Sequence, residues 1–283
     1  MKLNPVIRNK YTADPVALVH EDRVYLYTGH DEAPAGSAGY LMKDWLCFSS
    51  DDMVNWIEHP VPLKALDFNW AKGDAYASEV IYRNNQFYWY VAVTHAGIKG
   101  KAIGVAVSDK PEGPFRDAIG AALITNDMTT ATDIEKDDID PTVLIDDDGQ
   151  AYLFWGNTVC YYVKLKHNML ELDGEISTIP LPDFSEGPFI YKREQWYYLL
   201  YGYGMPEKVA YSMSRNIHGP WEFKGVIKDL LENCETNSPA IVDFRGRSYF
   251  LYHNAGLENG DSHHRSVCID DLHFNSDGTI RPM

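Results

Sequence analysis

Three acidic residues stand out because each sits beside a proline at the start of an apolar run: Asp14-Pro15, Asp140-Pro141 and Glu186-Gly187-Pro188. Glu79 and Asn237 open two further runs of the same kind. These five lead residues are spaced by 65, 61, 46 and 51 positions, a regularity that radial repeat folds leave in a sequence. Carboxyls that converge on one site repel, so at least one keeps its proton near neutral pH while another stays ionised. An acid facing a base across a small pocket is what glycoside hydrolysis needs, with about 6.5–9.5 Å between the two when a water must fit. Taken alone, an Asp before Pro is commonly a turn residue. Five in register favour a site.

The element that must position them is a recurring hairpin. Asp140 leads into Thr142–Ile145, a turn at Asp146-Asp147-Asp148-Gly149 and the aromatic run Ala151–Trp155. The same order follows Asp14, Glu79, Glu186 and Asn237, and a second hairpin follows each of the five. Four strands per unit and five units predict an all-β, five-bladed β-propeller of four-stranded antiparallel blades, occupying residues 1–283 as one domain. The first strand of each blade lines the channel, so its lead residue sits at one mouth. The following proline is expected to hold Asp14 and Asp140 in extended backbone. Helix signal is confined to one turn near Lys228–Asn233.

The formal net charge of −16 argues against nucleic acid and anionic membrane surfaces as partners. No apolar stretch approaches the roughly 18 residues of a membrane helix. Met1-Lys2-Leu3-Asn4-Pro5 does not read as a signal peptide, leaving two expectations: a secreted or periplasmic protein with its leader removed, or a cytoplasmic one. Cys47, Cys160, Cys234 and Cys268 form no CxxC and are expected as buried thiols. Asp146-Asp147-Asp148 reads as an exposed turn and not a metal cluster.

Thr12-Ala13-Asp14-Pro15, Asp138-Ile139-Asp140-Pro141 through Trp155-Gly156, Ser185-Glu186-Gly187-Pro188, Tyr252-His253-Asn254 and His264-Arg265-Ser266-Val267 together resemble glycoside hydrolase family 43, in order along nearly the whole chain. The resemblance implies a five-bladed, inverting enzyme acting on xylosides or arabinofuranosides. It implies Asp14 as general base, Glu186 as general acid and Asp140 as the carboxylate that raises and orients the acid. It further implies that Arg265 pairs with the base and substrate. His253 would help hold calcium or another ion near the axis, largely through water, the alternative being a hydrogen-bonded core histidine. Glu79 departs from the family pattern as a binding candidate, and Trp70, Tyr76 and Trp155 are aromatic platforms for a sugar ring.

These readings converge on an exo-acting glycosidase that releases α-L-arabinofuranosyl or β-D-xylosyl units from plant hemicellulose or pectin glycans, with no cofactor needed for the chemistry. The loops Gly29–Gly39 and Thr125–Asp138 are expected to wall in its pocket. The alternatives are a non-catalytic carbohydrate-binding propeller and a related propeller glycosidase or phosphorylase acting on another linkage. The last would need a phosphate-binding cluster, for which His263-His264-Arg265 is the one candidate.

Overall fold

The computed structural model describes residues 4–34, 36–37, 39–231 and 233–283. They form five antiparallel sheets arranged in chain order as the blades of a propeller. Blade one is Thr12–His20, Arg23–His30, Asp44–Ser50 and Ile57–Glu58, with Leu63–Lys64 as a short addition. Blade two is built on Ser78–Arg83, Gln86–His95 and Lys101–Ser108, with three shorter strands at its edges. Blades three and four are regular four-stranded meanders starting at Thr142 and Phe189. Blade five has three strands, Ala240–Phe244, Arg247–Asn254 and Ser266–Leu272.

The N-terminal segment covers the open edge of blade five. Val6 N–H donates to the Val267 carbonyl (2.9 Å) and Ile269 N–H to Asn4 Oδ1 (3.0 Å). That contact joins the two ends of the chain and removes an exposed edge.

Turn chemistry explains the hairpins. Glu21-Asp22 and Asn84-Asn85 are two-residue turns with both φ positive, the form whose twist matches paired strands. Gly149 closes the third at φ +83°. There Asp147 and Asp148 face water as expected, whereas Asp146 is held by Lys192 (2.5 Å) and the Tyr197 hydroxyl (2.6 Å) of the next blade. The aromatic second strands fill the spaces between blades: Trp89, Tyr90, Phe154, Trp155, Leu199 and Tyr201 are fully buried. All four cysteines are buried free thiols.

The expected helical turn at Lys228–Asn233 is absent among the described residues. Lys228 ends the strand Glu222–Lys228, and Leu231 bridges to Cys234 instead. One 3₁₀ turn lies elsewhere, at Ala65–Asp67.

Candidate active site

Neighbouring first strands pack side by side around the axis, Thr12–His20 against both Ser78–Arg83 and Ala240–Phe244, and Thr142–Ile145 against Phe189–Arg193. Their entrances surround a cavity of about 500 Å³ lined by Asp14, Asp140 and Glu186 together. This is the size of a small-ligand site.

The backbone at the two aspartates differs from expectation. Asp14 (φ +50°) and Asp140 (φ +59°) are left-handed, not extended, and the blade-one ladder shifts register between Ala13 and Val16. Such bulges re-aim a side chain, and positive φ off glycine marks strain that surrounding bonds must hold. They do so here: Asp14 N–H donates to His253 Nδ1 (3.2 Å), and Asp140 Oδ2 accepts from Gly187 N–H (2.9 Å).

Arg265 lies almost fully buried between Asp31 and Asp14. Its Nε and Nη2 donate to the two Asp31 oxygens, each at 2.9 Å, and Nη1 donates to Asp14 Oδ1 at 3.1 Å. Burial pushes Asp14 up to about 6 against the Arg265 charge, with Asp31 and Glu186 raising it further. Asp31 is itself pulled below the usual carboxylate range, because the Arg265 contacts outweigh its burial. Asp140 is raised well above that range by burial, then by the Glu186 and Asp14 charges. The pocket therefore holds an anion, a retained proton and one guanidinium. Glu186 Oε2 accepts a 2.6 Å bond from Asn157 Nδ2, which fixes its direction.

Tyr76 lines the cavity as expected, with Lys101 Nζ 3.6 Å from its ring centroid. Trp155 does not: it is fully buried and donates to Asp138 Oδ1 (2.8 Å), so it is blade packing. Trp70 also lies outside the cavity, packed on Phe68 and His95 and bonded to Asp117 (3.0 Å). Glu79 lies in a small separate recess with Pro141, Thr142 and Pro188, accepting from Val143 N–H (2.8 Å), and burial lifts it to about 7. An aromatic run or repeat position cannot by itself distinguish the pocket wall from the blade interior.

His253 is fully buried, and burial lowers it to about 3, so it is neutral. Nδ1 accepts from Asp14, so Nε2 carries the proton and donates to the Thr236 carbonyl (3.0 Å). Both nitrogens are used, and neither fits direct ligation of an ion. Among the described residues, His30, Glu32 and Asp44 form the one group whose three ligand atoms lie within 4.8 Å, and none of the three lines the cavity.

Sequence reasoning missed Asp31, Asn157, Tyr40 and Glu207. Asp31 and Tyr40 are brought in by the strands flanking the Gly29–Gly39 loop, of which residues 35 and 38 lie outside the described set. Tyr40 and Met42, just past that loop, form part of the wall, and Lys136 represents the Thr125–Asp138 loop. Arg265 lies 4.7 Å from the Tyr40 ring centroid. Glu207 falls after Met205-Pro206 between two strands, outside the repeated unit, yet it lines the cavity, and burial and Glu186 raise it to about 8.

The sequence model of "Glycosyl hydrolases family 43" matches residues 2–280. A xylosidase/arabinosidase from Humicola insolens is 28% identical over 98% of each chain. A solved β-xylosidase/α-arabinofuranosidase from a compost microbial metagenome, in complex with xylotriose in a calcium-free form, superposes with a TM-score of 0.88 at 26% identity, covering 100% of this chain and 97% of that one. The solved α-L-arabinofuranosidase of Clostridium thermocellum gives 0.83 at 33% identity, over 98% and 95%. With residues 2–280 matched and a propeller shared with solved members, the chain belongs to glycosyl hydrolase family 43.

Proposed function

We propose that this glycoside hydrolase inverts configuration and releases single α-L-arabinofuranosyl or β-D-xylosyl units from the ends or branches of pentose-containing glycans. The observation that carries the reading is that Asp14 and Glu186, from blades one and four, line one cavity together, Asp14 in contact with the Arg265 guanidinium and Glu186 held by the Asn157 amide.

Asp14 is then the base that takes a proton from water as its oxygen attacks the anomeric carbon. Glu186 gives its proton to the leaving oxygen, and Asp140, through the Gly187 N–H, holds the strand entrance that carries Glu186. Arg265 keeps Asp14 ionised and its proton-accepting carboxylate in place. The names of the relatives, xylosidase/arabinosidase and α-L-arabinofuranosidase, support a pentose. No step needs a metal, and with both nitrogens hydrogen-bonded His253 would help hold a calcium ion near the axis through water.

The phosphorolytic alternative loses its anchor because Arg265 is committed to Asp31 and Asp14. Hydrolysis of p-nitrophenyl α-L-arabinofuranoside and β-D-xyloside by wild type, Asp14→Ala and Glu186→Ala tests the reading. Expected is turnover of at least one substrate by wild type and a loss on the order of a thousandfold or more in both variants. A wild type that binds pentose oligomers without cleaving either substrate would favour the carbohydrate-binding alternative.

A further inference from the structure

Asn237 is the fifth lead residue, and it is amide where the other four are acidic. The residue is 2% exposed and lines the cavity, yet neither Nδ2 nor Oδ1 of its buried amide has a protein partner among the described residues. A buried primary amide with both ends unmet is costly, and native proteins keep such groups for a use. Its placement is firm. The Asn237 backbone N–H donates to Glu207 Oε2 (2.7 Å), whose other oxygen accepts from the Ser185 hydroxyl (2.6 Å), next to Glu186. Glu207 is therefore a clasp between the segment bearing Glu186 and the segment bearing Asn237. No room is left for slack: a Cβ on Gly202 would lie 2.8 Å from the Glu207 carboxyl, and one on Gly187 would lie 3.2 Å from the Asn237 carbonyl oxygen.

We infer that Asn237 is a sugar-hydroxyl-binding residue, its Oδ1 accepting from and its Nδ2 donating to adjacent hydroxyls of the glycone, with Glu207 as the positioning residue that sets its distance from Glu186. An amide edge pairs a donor with an acceptor at the spacing that neighbouring ring hydroxyls present. The inference rests on the glycosidase reading and deepens it by naming a residue that selects the sugar.

The test uses the full chain, Asn237→Ala and Asn237→Leu, assayed on aryl α-L-arabinofuranoside, β-D-xyloside and β-D-galactofuranoside, with thermal unfolding in parallel. On whichever glycoside wild type cleaves, both variants should lose kcat/KM by on the order of tenfold to a hundredfold, the range of one or two hydrogen bonds. Their Tm should be unchanged or higher, because no protein bond is removed. A monodeoxy glycoside lacking either contacted hydroxyl should lose part of that with wild type, and the same deletion should cost clearly less with Asn237→Ala.

Activity within about twofold of wild type, less than a single hydrogen bond is worth, would overturn the inference. So would a lowered Tm accompanied by an equal loss on the deoxy substrate, which is a structural role. Cleavage of only the galactofuranoside would refute the pentose reading and leave Asn237 decided by the same comparison. A wild type active on none would overturn both.

Discussion

Arg265→Met tests whether the guanidinium is what makes Asp14 an anion at working pH. Asp14 stands near 6 because burial opposes Arg265, 3.1 Å away. At an effective dielectric of about 20, a charge at that distance is worth about 5 kcal/mol, an upper limit once water enters the vacated space. Keeping a third to a half of it gives about 2 kcal/mol, or a rise of about 1.5 pH units. The acidic limb of kcat/KM should move from near 6 to near 7.5. At pH 6 the variant then retains about a fifteenth of the ionised Asp14 that wild type has, recovering towards pH 9. Asp31→Asn has the opposite sign: it removes a charge that raises Asp14 and leaves Arg265 with one anion to face, so the limb moves below 6. The assay is the pH profile of kcat/KM on an aryl pentoside. Acidic limbs within about 0.3 unit of wild type in both variants would refute the electrostatic reasoning. Equilibrium unfolding supplies an independent check, since Arg265→Met strands two buried carboxylates and should cost about 3–5 kcal/mol at pH 7. Part of that should return at pH 5, where both carboxylates can take protons.

Stability should fall as pH rises from about 6.5 to 8, measured by urea unfolding at several pH values. Glu207 (about 8) and Asp138 (about 7) have folded values above their unfolded ones, so the folded chain holds protons that the unfolded chain has released. His253, whose lowered value acts in the opposite direction, is neutral in the folded chain but about half protonated at about pH 6.5 in the unfolded one, so its opposing contribution fades by about pH 7.5 and the fall is steepest above that. Glu207→Gln should flatten the slope by up to about 1.4 kcal/mol per pH unit, and an unchanged slope would deny the raised value. Trp155→Phe should lose about 1–3 kcal/mol through the stranded Asp138 with KM unchanged, whereas a raised KM would return Trp155 to the sugar site. Gly202→Ala pushes on the Glu207 carboxyl and should cost about 1–3 kcal/mol, with kcat falling as the clasp shifts, both absent if that carboxyl moves freely.

The blade plan was legible because the lead residue, turn and aromatic strand repeat, and a repeat constrains topology more than any local propensity. Asp14, Asp140 and Glu186 were legible for the same reason, since register fixes which end of each inner strand they occupy. The readings that failed concern direction or partnership. A proline predicted extended backbone at Asp14 and Asp140, but bonds from His253 and Gly187 hold them left-handed. Trp155 looks like a platform in sequence, yet its indole points to Asp138, inside the blade. Asp31 carries no repeat signature, because its role exists only where the last blade brings Arg265 back to the first. Glu207 was hidden similarly, in a turn that reaches the cavity from outside the inner strands.

The most direct test of the central claim is the anomer released first, followed by proton NMR in the initial seconds of hydrolysis of the aryl pentoside that wild type prefers. With Asp14 activating water on the face opposite Glu186, the sugar must appear inverted before it mutarotates, α-xylose from a β-xyloside for example. First appearance of the retained anomer would mean that a carboxylate attacks carbon directly, and would contradict the roles assigned to Asp14 and Glu186.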